Sequence, residues 1–121
     1  MKQEIFSSSA EGKPFSSAIA TESFVFVSGQ GGLLDGIVVG PDIESQTVQT
    51  LENIRVILQE AGLDLDDVVK MGVYLKERSL YDAFNKVYKR YFRHPLPART
   101  VVYCDLNFDI LVEIDAIAVR K

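Results

Sequence analysis

A single cysteine and a single histidine stand among the 121 residues of this chain. One cysteine closes no internal disulfide and builds no thiolate metal cluster, so a cytoplasmic protein without a metal is expected. Cys104 falls on the even side of a predicted strand, with Thr100 and Val102, where a free cysteine acts as a small buried hydrophobe. His94 sits in HPLP between two proline constraints with no companion ligand, which is a poor metal site. Positive charge is also short: 13 Lys and Arg against 17 Asp and Glu leave a net charge of −4. A binder of phosphate backbones would carry a basic patch, so nucleic acid is not an expected partner. Lys86, Lys89 and Arg90 fall on one predicted helix and read as a solvated face. No run approaches the ~18 apolar residues of a membrane span, and MKQEIFSSSAEGK does not read as a signal peptide.

The chain is ordinary in bulk, 47% hydrophobic and 25% charged, and long enough for one domain over residues 1–121 with its own core. Lys2–Phe6 reads as a short edge strand and Ser7–Pro14 as a loop. Ser23–Ser28 reads as a strand followed by Gly29, Gly31 and Gly32, whose spacing is not a dinucleotide fingerprint. Asp35-Gly36 suits a hairpin turn into Ile37–Val39. Asp42 suits the N-cap of a helix to about Ala61, with Val48, Leu51, Ile54, Leu58 and Ala61 as its apolar stripe and Gly62 as its stop. Val68–Leu75 reads as a strand with Val69, Met71, Val73 and Leu75 on one side. Ser79 and Asp82 resemble a capping box for a second helix carrying Leu80, Phe84, Val87, Tyr88 and Tyr91.

Two strands end the chain. From Ile110 to Val119 every even position is apolar, while Glu113 and Asp115 interrupt the odd face. Arg99 stands in the strand before. An arginine and a glutamate on adjacent strands are by default a structural ion pair. The functional alternative is a guanidinium that holds a small carboxylic acid beside a carboxylate that activates water. The element order predicts a two-layer α+β domain: a mixed sheet with two helices on one face. Its other face, carrying Val101, Tyr103, Leu111, Ile117 and Val119, is too apolar for water, which implies a closed symmetric oligomer.

Five segments carry a resemblance: FVFVSGQ (Phe24–Gln30), QTLENIRVILQEAGLDLDDVVKMGVYL (Gln49–Leu75), FNKVYKRYF (Phe84–Phe92), PAR (Pro97–Arg99) and VEIDAIA (Val112–Ala118). Together they closely resemble the RidA/YjgF family, over a span from about Pro14 to Val119. The resemblance implies a chorismate-mutase-like homotrimer with active sites in clefts between subunits. It also implies hydrolysis of reactive 2-imino and enamine acids to 2-keto acids and ammonium, with no cofactor. By position, Arg99 would grip the substrate carboxylate and Glu113 would handle the attacking water. Ser28, Gly29, Asn85, Phe15 and Val101 would line the cleft. The chain departs from the pattern at Phe15 and Ser17, where many deaminase members have tyrosine and glutamine. It departs again at Val101, where some have cysteine, and at Leu106-Asn107, where Leu-Pro is usual. A non-catalytic carboxylate-binding trimer is the alternative reading, and the endoribonuclease and translation-inhibitor labels within the family make a weaker third.

Overall fold

The computed structural model describes residues 1–5 and 11–121, so Phe6 and the first half of the expected loop, at 7–10, lie outside the described residues. Six strands form one sheet in the order β1-β2-β3-β8-β6-β7: β1 Gln3–Ile5, β2 Ala18–Ala20, β3 Phe24–Gly31, β6 Val68–Leu75, β7 Ala98–Tyr103 and β8 Val112–Val119. All neighbours pair antiparallel except β6 and β7, which run parallel. A parallel pair needs a crossover, and α2 (Tyr81–Tyr88) supplies it. The hairpin of β4 (Leu33–Leu34) and β5 (Ile37–Val38) stands apart. Its turn residues Asp35 and Gly36 sit at φ 52° and 79°, as a two-residue hairpin turn requires. Ala18–Ala20 is too short to show a period, and the strand it forms escapes sequence reading.

The helices cover one face. α1 spans Ile43–Glu60, and Asp42 caps it by accepting a hydrogen bond from the Ser45 amide at 2.9 Å. Gly62 follows it at φ 75°, the left-handed position at which helices end without a Cβ penalty. Beneath α1, cross-strand rows run Ala18–Val27–Ala116–Met71 and Ala20–Val25–Ala118–Val68. Small and large side chains alternate along these rows, and all eight are buried. Leu51, Ile54 and Leu58 of α1, with Phe84 and Tyr88 of α2, close the same core. Truncating one of these large buried side chains to alanine costs about 2–5 kcal/mol.

Several expectations change. Val48 is exposed, because the core face of α1 passes through Gln46, Thr47 and Thr50 instead. Gln46 and Thr50 are tolerable there because Gln46 donates to the Gly40 carbonyl, accepts from the Leu111 amide, and offers its own carbonyl to Thr50, whereas the buried Thr47 hydroxyl finds no partner among the described residues. Val69 is also exposed. A register shift between Val68 and Lys70 inserts one residue, so Val68 takes the inward place ahead of Met71, Val73 and Leu75. Ser79 makes no capping box; a 3-10 turn at Arg78–Leu80 leads into α2, which gives way to another at Lys89–Tyr91. Ile110 is buried but lies before β8 begins at Val112.

The phase of β7 is the main correction. Val101 and Tyr103 stand opposite Val73 and Leu75 in the parallel register, and those two are buried beneath the helices. Val101 and Tyr103 therefore belong to the helix side, and Thr100 and Val102 to the open side. Cys104 follows the strand and is half-buried rather than buried. The open face is apolar all the same: the expected Val119 and half-buried Ile117 are on it, joined by Phe24, Phe26 and Val102, and all but Ile117 are about two-fifths exposed.

Candidate active site

Glu113 projects from the open side of β8, opposite Gly31 of β3 and Tyr74 of β6. A Cβ placed on Gly29 would overlap its carboxylate, so the glycine creates the space in which the side chain lies across the sheet. Asp115 is arranged the same way two residues on: a Cβ at Gly72 would overlap its carboxylate, and the Tyr74 hydroxyl donates to it at 3.2 Å. Among the described residues the Glu113 carboxylate accepts no hydrogen bond and has no cationic partner within ion-pair distance. Burial, and then the nearby charge of Asp115, push its carboxyl above the usual glutamate range. A cavity of about 700 Å³ opens over it, with Phe15, Phe26, Ser28, Gly29 and Phe108 in its lining. A second cavity of about 680 Å³ runs toward α1 and shares Phe15, Gly29, Phe108 and Glu113, so the two are lobes of one groove around the carboxylate. Ser28 is already engaged: its hydroxyl donates to the Ser16 carbonyl at 2.6 Å and its amide to the Ser17 carbonyl at 2.9 Å. Its part is to clamp the Phe15 segment onto β3.

Arg99 is elsewhere. It leaves the helix side of β7 and reaches beneath α2. Its Nη1 donates to Asn85 Oδ1 at 2.7 Å and its Nη2 to the Tyr81 hydroxyl at 3.3 Å. The guanidinium carbon lies 4.8 Å from the centre of the Tyr88 ring. Stacking and two hydrogen bonds fix the plane of the fork, which an ammonium could not reproduce. Among the described residues no carboxylate lies within ion-pair distance, so part of the fork keeps its donors for a ligand. Burial pushes the Tyr88 hydroxyl up to about 12, against the opposing influence of Arg99.

The seven expected site residues thus fall into two groups. Phe15, Ser28, Gly29 and Glu113 share the open-face groove, while Arg99 and Asn85 form a unit beneath α2, with Val101 two residues along the same side of β7. Strand β6 runs between β7 and β8, and the two groups lie on opposite faces of the sheet. Arg99 and Glu113 are therefore not an ion pair within the protomer. Sequence reasoning did not single out Gly72, Tyr74 or Phe108, nor Lys13, which lines both lobes with Glu113. The period-2 spacing of Asp115 from Glu113 was the available signal for the first two.

Residues 7–120 match the family model described as Endoribonuclease L-PSP. A RutC family protein of Pyrococcus horikoshii is 42% identical, and the match spans the whole of both chains. The chloroplastic Reactive Intermediate Deaminase A of Arabidopsis thaliana is 37% identical over 87% of this chain and 58% of its own length. Among solved structures, E. coli TdcF with bound serine superposes with a TM-score of 0.89 at 30% identity, covering 98% of this chain and all of that one. With its fold and nearly its whole length matched in this way, the chain belongs to the RidA/YjgF family.

Proposed function

We propose that the protein is a homotrimer that hydrolyses reactive 2-imino and enamine acids to 2-keto acids and ammonium in clefts between its subunits. The observation that carries this reading is the incompleteness of each half-site: a fixed guanidinium with donors to spare on one face, an unpaired carboxylate on the other. Halves on opposite faces meet when one copy presents its open face and the next presents its β7 edge. Such head-to-tail contacts close into rings, and a ring of three is what the family resemblance implies. The apolar open face supports this assembly by supplying surface that gains from burial. The single cysteine, which forms no internal disulfide, supports a reducing compartment such as the cytoplasm.

In the cleft, Arg99 would hold the substrate carboxylate by charge-assisted hydrogen bonds and so place the imine carbon near Glu113. Glu113 takes a proton from water as the oxygen bonds to that carbon and passes it to the imine nitrogen, giving a carbinolamine. Glu113 then takes the hydroxyl proton as the carbonyl forms and delivers it to the amino nitrogen, so the C–N bond breaks and the nitrogen departs as ammonia. A carboxylate whose proton affinity is raised is better matched to this exchange near neutral pH.

Two inactive variants test the shared cleft. Arg99→Ala and Glu113→Gln trimers, each assayed for ammonia release from freshly generated 2-iminobutanoate, should be inactive alone. Dissociated together and reassembled at equal ratio, roughly a quarter of the clefts would hold both intact residues, and activity should return to that degree. No recovery in verified mixed trimers would place both residues in a cleft of one protomer and sink the arrangement. The second reading, a trimer that binds a carboxylate metabolite without turnover, is favoured by Phe15, which brings no hydroxyl to the groove. Endoribonuclease activity has less support: His94 is exposed in the loop before β7 and does not line the groove.

A further inference from the structure

We infer that the groove around Glu113 selects imino and keto acids with a bulky apolar side chain, and that Phe108 sets this preference. The inference rests on the function proposed above and names the substrate class of that site.

Phe108 is unusual twice. The residue is 72% exposed, and its backbone stands at φ 63°, a region that bulky side chains rarely occupy. Backbone outliers of this kind cluster at sites that contact ligands. It borders both lobes of the groove, and Phe15, itself 51% exposed, borders both with it. Phe15 carries no hydroxyl that would make this wall polar. The lobe of about 700 Å³ falls in the range that accommodates ligands much larger than a three-carbon acid. With the carboxylate end of the substrate assigned to Arg99 and the reacting carbon to Glu113, the side chain is the remaining part of the molecule. The aromatic wall is the surface available to receive it, and it offers contact to branched or aromatic groups that a methyl group cannot reach.

Calorimetric titration of the trimer with pyruvate and with 4-methyl-2-oxopentanoate tests this without requiring turnover. Wild type should bind the branched acid at least ~10-fold more tightly, the discrimination typical of a few methylenes in an apolar pocket. Phe108→Gly suits the backbone at φ 63° and so keeps the fold; it should bring the two affinities within ~3-fold, with the larger loss falling on the branched acid. Phe108→Leu should keep most of the preference, which separates a lost wall from a loosened loop. Equal affinities in wild type, an equal fall for both acids in Phe108→Gly, or loss of the trimer in that variant by sedimentation would overturn the inference. Ammonia release from the two corresponding imines separates this proposal from the one beneath it. Release without side-chain preference leaves the deaminase and removes the wall; selective binding without release leaves the wall and removes the deaminase. Failure to bind either acid overturns both.

Discussion

Arg99 and Glu113 are held in place by opposite means. The guanidinium is positioned by contact: a stacked ring, an amide oxygen and a hydroxyl converge on it from α2. The carboxylate is positioned by space, because Gly29 leaves room beneath it and nothing among the described residues bonds to it. A group fixed by several partners suits binding, where geometry must be kept. A group left unpaired and partly desolvated suits proton transfer, where its affinity for a proton must be free to respond.

The largest expected break in this contrast is Glu113→Gln, which keeps shape and removes the base. Imine hydrolysis should fall by roughly 10²-fold or more while keto-acid affinity stays near wild type. Unchanged ammonia release would take Glu113 out of the chemistry. Arg99→Lys should act differently: charge survives, the stacked fork does not, and kcat/KM should drop by at least ~10-fold, or ~1.4 kcal/mol. Asn85→Ala should raise KM several-fold with a smaller effect on kcat, since it loosens the orientation of Arg99 but leaves its charge; equal losses in kcat and kcat/KM would contradict that role.

The smallest effects concern pH. Glu113 must be ionised to act as a base, so activity should fall as pH drops through its raised pKa. Asp115→Asn removes the lesser cause of that rise, which should move the acid limb to lower pH while burial keeps it above the ordinary glutamate range. A limb that does not move would detach Asp115 from the site. Stability runs the opposite way. A carboxyl whose folded pKa is raised contributes stability in full below its unfolded value near 4.5, and that contribution is lost as pH rises through the folded value. The thermal midpoint of Glu113→Gln should therefore gain on wild type as pH rises above that unfolded value.

Much of this contrast was legible in the sequence and part was not. Alternation over Val112–Val119 correctly placed Glu113 and Asp115 on the face away from the core. Asp42 and Gly62 correctly bounded the first helix. What alternation cannot supply is the phase of a strand whose neighbouring positions are both apolar, as at Val101 and Val102, and β7 was therefore turned the wrong way. Nor does adjacency in sequence imply adjacency in a sheet. The chain inserts β8 between β3 and β6, and two residues expected side by side end on opposite faces. The bulge near Val69 left no trace because every residue there suits a strand equally well.

Gly29 and Gly72 have an implication for engineering. Neither occupies the left-handed region, so a stabilisation campaign that replaces glycines to stiffen the unfolded chain would rank both as safe sites for alanine. Each is instead the negative imprint of a carboxylate lying above it. Selecting such a library for heat resistance alone would enrich proteins that keep the sheet and displace Glu113 or Asp115, trading the chemistry of the groove for rigidity through a single methyl group.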